Sequence, residues 1–114
     1  MVGESEPISL ILASAETGAE WTVSVRNKRV LRDWRDLADR APENTELCLQ
    51  KLSSQPMVRV PRRVFPLKHA KYRGVWEYEV TGGDRVFYIP KEGERTVLVY
   101  YAGKHLTPAP VPPG

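Results

Sequence analysis

Three apolar-rich segments crowd into residues 75–102 with turn residues at both joints, and no other feature constrains the fold as strongly. Residues 75–81 and 84–90 are separated by Gly82 and Gly83, a pair able to take the positive φ angles of a tight hairpin. Pro90, Glu92 and Gly93 mark the next joint, ahead of residues 95–102. Strands joined by such short links must be antiparallel neighbours, because a parallel crossover needs a dozen or more residues. The reading is an antiparallel meander. Alternation along it sets Trp76, Tyr78 and Val80 on the core side and Glu77 and Glu79 on the other. By the same rule Val86 and Tyr88 face inward, while Arg85 and Phe87 face away.

Upstream, Trp21, Val23 and Val25 alternate with Thr22, Ser24 and Arg26, the period of a half-buried strand. Asn27 then offers an N-cap, and Val30, Leu31, Trp34, Leu37 and Ala38 recur at helical spacing on one face. Pro42 suits the first turn of a second helix, with Glu43 and Glu46 near its positive end and Leu49 and Leu52 facing inward. Residues 53–56 stop it. A link of two or three residues makes the two helices an antiparallel hairpin able to cover one face of the sheet. The fold class is therefore α+β: an antiparallel meander sheet packed on an N-terminal two-helix hairpin.

The chain suits one domain, and its 41% hydrophobic and 27% charged residues exclude a composition-driven disordered chain. It divides into an acidic leader (1–20) with an edge-strand candidate at residues 8–13, a folded region (21–105) and a proline-rich tail (106–114), expected to be extended or disordered. No apolar run approaches the roughly 20 residues of a membrane span, so no membrane role is expected. The lone Cys48 can form neither an internal disulfide nor a zinc cluster, and it reads as a buried small side chain of a cytoplasmic protein.

Charge is unevenly placed. The leader carries Glu4, Glu6, Glu16 and Glu20 with no lysine or arginine, leaving 17 basic residues against 10 acidic ones beyond it. Residues 56–73 hold Arg59, Arg62, Arg63, Lys68, Lys71 and Arg73, with His69 and no acid, while Pro56, Pro61 and Pro66 argue for an extended connection. Such a surface suits a polyanion or an acidic protein segment.

The order of elements, with the stretches PLKHAKYRGVWEYEV, DRVFYI and VLVYYAGKH in succession, resembles the RelE/ParE superfamily of toxins from toxin-antitoxin systems. The resemblance spans about Trp21 to His105, and the proline tail replaces the C-terminal helix of many relatives. It implies a toxin inhibiting translation as a ribosome-dependent, metal-independent mRNA endoribonuclease without a cofactor. Its partners would be a cognate antitoxin with a DNA-binding helix-turn-helix, mRNA and the ribosome. A ParE-like inhibitor of DNA gyrase and a catalytically inactive binding module are the alternatives.

Metal-free RNA cleavage needs a base for the 2′-hydroxyl, an acid for the leaving 5′-oxygen and positive charge on the phosphate. The resemblance assigns the phosphate to Arg85, whose planar fork donates two bonds; the alternative is an arginine paired with Glu77 or Glu79. His105 is the acid candidate, with Lys104 as a fixed charge beside it, since histidine changes charge closest to neutral pH. Lys68, Lys71 and Arg73 resemble the run that grips the RNA backbone. Glu77 or Glu79 stands where several relatives show basic residues, and either can serve as the base. The tyrosine that many relatives place near their end is missing here, leaving Phe87 to stack on a base. Arg85 and His105 are expected to converge on one exposed patch of the sheet away from the helices.

Overall fold

Asn27 opens the first helix as its position predicts, its Oδ1 accepting a hydrogen bond from the Val30 amide at 2.9 Å. A computed structural model describes residues 9–113. In chain order it contains β1 (Ile11–Ala13), β2 (Thr22–Val25), α1 (Lys28–Arg40), α2 (Pro42–Ser54), β3 (Val64–Pro66), β4 (Trp76–Glu79), β5 (Asp84–Lys91) and β6 (Thr96–Lys104). Pro42 sits in the first turn of α2, where its missing N–H would have had no partner.

The strands form one six-stranded sheet in the order β1-β2-β6-β5-β4-β3. The meander β4-β5-β6 is antiparallel as expected. Two features extend the sequence reading. First, β2 lies parallel to β6, so the sheet is mixed; the chain between them runs through both helices, β3, β4 and β5, a connection long enough for a parallel pair. Second, the basic connection contains a strand. Pro66 is tolerated there because β3 is a three-residue edge strand with one side unpaired in the sheet order. The edge strand expected at residues 8–13 is β1, while Ile8, Glu4 and Glu6 lie outside the described residues.

The helices cover one face. Val30, Leu31, Trp34 and Leu37 of α1 and Cys48 and Leu52 of α2 pack on Val23, Val25, Val86, Tyr88, Val97 and Val99. Leu37 and Leu52 are fully buried, each contributing about 2 kcal/mol by leaving water. Leu49 is only half-buried, and Thr45 takes the inward position one turn earlier, its hydroxyl bonded to the Leu37 carbonyl. Cys48 is buried as expected, and burial pushes its thiol well above the ordinary value. Trp76 stacks on Tyr88, whose hydroxyl donates to the Pro56 carbonyl at 2.7 Å and so ties the end of α2 to the middle of the sheet.

The turn at Gly82 and Gly83 differs from the expectation. Among the described glycines, positive φ angles occur at Gly18, Gly74 and Gly103, not at this pair. The Val80 amide closes the hairpin on the Asp84 carbonyl at 3.0 Å, and Thr81 Oγ1 reinforces it, donating to Asp84 at 2.7 Å and accepting from the Gly83 amide at 3.2 Å.

Candidate functional site

The face of the sheet opposite the helices carries most of the residues singled out in the sequence, in two zones of different chemistry. Nearest the Gly82-Gly83 turn lies an ionic zone. Glu79 of β4 pairs in register with Arg85 of β5, which pairs with Gly103 of β6. Arg85 Nε donates to Glu77 at 3.1 Å, and its Nη2 lies 3.5 Å from Glu79. Its Nη1 reaches the carbonyls of Thr81, Gly82 and Asp84 at 2.8, 3.3 and 3.0 Å. Every nitrogen of the guanidinium is therefore engaged.

This corrects the expectation of an exposed Arg85. The residue is only 9% exposed, and its charge is matched by two carboxylates, Glu77 buried and Glu79 half-buried. The fork geometry that suits phosphate also suits paired carboxylates and turn carbonyls, and alternation places both glutamates within reach. His105 does reach the same corner. Its amide donates to the Gly83 carbonyl at 2.9 Å, so the residue is pinned to the hairpin while remaining exposed. Gly103, with φ of 148°, takes a backbone conformation that a side chain would strain, just ahead of exposed Lys104 and His105. The structure thus brings Arg85 and His105 together along the backbone, but not onto one exposed patch.

The second zone is aromatic. A β-bulge between Phe87 and Tyr88 pairs Phe87 with Tyr101 but Tyr88 with Val99, leaving Tyr100 as the extra residue. Consecutive residues that strict alternation would send to opposite faces therefore both meet Phe87, at ring-centroid distances of 6.3 Å for Tyr100 and 5.7 Å for Tyr101. Tyr72 and Val75 complete the cluster. Phe87 is fully buried, which corrects its expected role as an open stacking surface.

The tail, expected to be extended or disordered, lies against this zone without helix or strand. Tyr72 Oη donates to the Ala109 carbonyl at 2.6 Å and Tyr100 Oη to the Pro110 carbonyl at 2.9 Å. Burial is the main cause pushing the Tyr100 hydroxyl well above its ordinary value, so it stays protonated as a donor. Neither tyrosine was singled out in the sequence, although adjacent Tyr100 and Tyr101 with a proline tail was a signal of aromatic–proline packing.

Lys68, Lys71 and Arg73 are exposed on the loop that delivers Tyr72 to the aromatic cluster, and among the described residues none of them forms an ion pair. Lys71 Nζ stands 5.4 Å over the Tyr72 ring. Between α1 and the end of β6 lies a cleft of about 470 Å³, lined by residues including Arg29, Asp33, Arg40, Tyr101, Lys104 and Leu106. Among the described residues, no group of three or more histidine, cysteine or acidic side chains is placed to hold a metal ion, and no helix is long and apolar enough to cross a membrane.

No protein-family model and no curated protein matches the chain. Solved structures do. A chain of the RelBE2 toxin-antitoxin complex from Mycobacterium tuberculosis is 20% identical with a TM-score of 0.52, over 75% of this chain and 99% of that one. The YoeB/ParE toxin from Agrobacterium tumefaciens is 18% identical with a TM-score of 0.57, over 74% and 98%. A chain of the YoeB-YefM complex from Staphylococcus aureus is 11% identical with a TM-score of 0.55, over 77% and 100%. The fold is that of RelE/ParE-type toxins. In this RelE/ParE-type scaffold the helix hairpin backs the sheet, while the ionic zone, aromatic zone and basic loop occupy the other face.

Proposed function

We propose that this chain is the toxin of a toxin-antitoxin pair, acting in the cytoplasm on ribosome-bound mRNA as a metal-independent endoribonuclease that inhibits translation. The observation that carries this reading is the exposed basic loop of Lys68, Lys71 and Arg73, set beside the sheet face that the helices leave uncovered. Phosphate contacts by such a loop need charge and reach but little exact geometry. Exposed His105 supplies the acid and Lys104 a fixed charge at the end of β6. Glu79, the less buried of the two glutamates, is better placed than Glu77 to act as base. Arg85 acts in this scheme as a positioning residue, holding Glu79 and the turn to which His105 is pinned. The partner is an antitoxin with a helix-turn-helix.

One observation favours a second reading. An Arg85 matched by two carboxylates offers phosphate little net charge, which suits a gyrase-directed toxin without catalytic residues. The test is expression without a partner, followed by messenger RNA cleavage in a translating extract and by DNA supercoiling with purified gyrase. Growth arrest with cleavage supports the ribonuclease. Arrest with blocked supercoiling and intact messenger RNA supports the gyrase inhibitor. Healthy growth with abundant folded protein contradicts both.

A further inference from the structure

Tyr72 and Tyr100 hold the tail by side-chain hydroxyls donating to two consecutive main-chain carbonyls, Ala109 and Pro110. Pro108, Pro110, Pro112 and Pro113 have no N–H to give a neighbouring strand, and no described residue beyond Lys104 belongs to the sheet. The tail therefore rests on the sheet without being woven into it. Beneath and beside it lie Tyr72, Phe87, Tyr100 and Tyr101, and the loop carrying Tyr72 also carries Lys68, Lys71 and Arg73. Rings to stack on, bordered by cations that can follow a backbone, are the two components of a surface for single-stranded nucleic acid.

We propose that residues 107–113 form a strap over an aromatic platform for single-stranded RNA, so that the chain binds RNA fully only when the strap lifts. This rests on the reading of RNA as the target given above. The tyrosine hydroxyls anchor the strap, and the tyrosine rings receive bases when it leaves. Tethering gives the tail a high effective concentration at its own groove, so even a weak pairing keeps the platform closed against dilute RNA. A platform open only a tenth of the time binds its ligand tenfold more weakly than an open one.

The experiment compares three proteins for binding of a fluorescein-labelled oligouridine with 2′-O-methyl sugars, which cannot be cleaved, by fluorescence anisotropy. They are the full chain, a chain ending at Leu106, and the full chain with Tyr72→Phe and Tyr100→Phe. Thermal melting checks that each is folded. The shortened chain should bind about tenfold more tightly than the full chain. The double variant should approach it, because it keeps both rings and loses two hydrogen bonds each worth roughly fivefold in an equilibrium constant. A free peptide of sequence TPAPVPPG should then weaken binding to the shortened chain.

Equal affinity of the full chain and the double variant, or of the full chain and a folded shortened chain, overturns the strap but leaves RNA binding standing. Absence of RNA binding by all three overturns the RNA reading and the strap with it. Binding of the peptide but not RNA by the shortened chain makes the groove a protein-recognition site and likewise overturns the proposal. Should the shortened chain fail to fold, the double variant decides alone.

Discussion

Arg85 of β5 reaches diagonally to Glu77 of β4, two residues from its register partner Glu79, through an Nε to Oε2 hydrogen bond of 3.1 Å between side chains that are each 11% exposed. With Glu79 on the same guanidinium and three turn carbonyls on its other nitrogen, the pair makes one charge cluster out of the hairpin that also receives the His105 amide. Removing one partner of a buried pair leaves the other charge without compensation, which commonly costs about 3 kcal/mol. Arg85→Ala should therefore lower the free energy of unfolding by that order, measured by urea denaturation. A variant as stable as the native chain would show the cluster to be inert.

Asp84 occupies the helix-side end of the same hairpin. Burial pushes its carboxyl upward, but hydrogen bonds from Arg40 and Thr81 outweigh that and hold it below the usual range. The folded state thus favours the ionised form more than the unfolded chain does. The resulting stability is fully present above the unfolded value of about 4 and is lost as pH falls through the lower folded value. Asp84→Asn should melt lower than the native chain at pH 7, and the gap should shrink as pH drops below about 4. A gap that is constant with pH would place the carboxylate's role elsewhere.

His105 is exposed and contributes only its amide to the fold, so His105→Ala should melt like the native chain. If its imidazole is the acid, cleavage of messenger RNA in a translating extract should fall on the order of a hundredfold. Full activity in the folded variant would remove His105 from the reaction.

Replacing Lys68, Lys71 and Arg73 together by alanine tests the phosphate grip. Each backbone contact to single-stranded nucleic acid contributes about 0.7 to the slope of log affinity against log salt, so the triple variant should flatten that slope by about 2. Tyr72 anchors the loop in the aromatic cluster, and of the three exposed side chains only Lys71 touches it, over its ring, so melting should change little. An unaltered slope would assign the loop to another partner.

Local chemistry made much of this protein legible in its sequence. The Asn27 cap, the 3.6-residue spacing from Val30 to Leu37, Pro42 in a first turn, and the alternation through Trp76, Tyr78, Val86 and Tyr88 each concern residues a few positions apart. Such patterns depend on backbone geometry that every chain shares. The exposed basic loop was equally readable, because an acid-free run of lysine and arginine has few ways to be buried. Tertiary structure alone decided the state of the site. Arg85 meets Glu77 and Glu79 only because β4 and β5 pair in one particular register, and Tyr100 and Tyr101 share a face only because of a bulge. The tail closes over Tyr72 and Tyr100 through bonds spanning 37 and 10 residues. Whether a charge is free or matched, and a ring open or covered, depends on what arrives from elsewhere in the chain. Composition and periodicity carry no record of those arrivals.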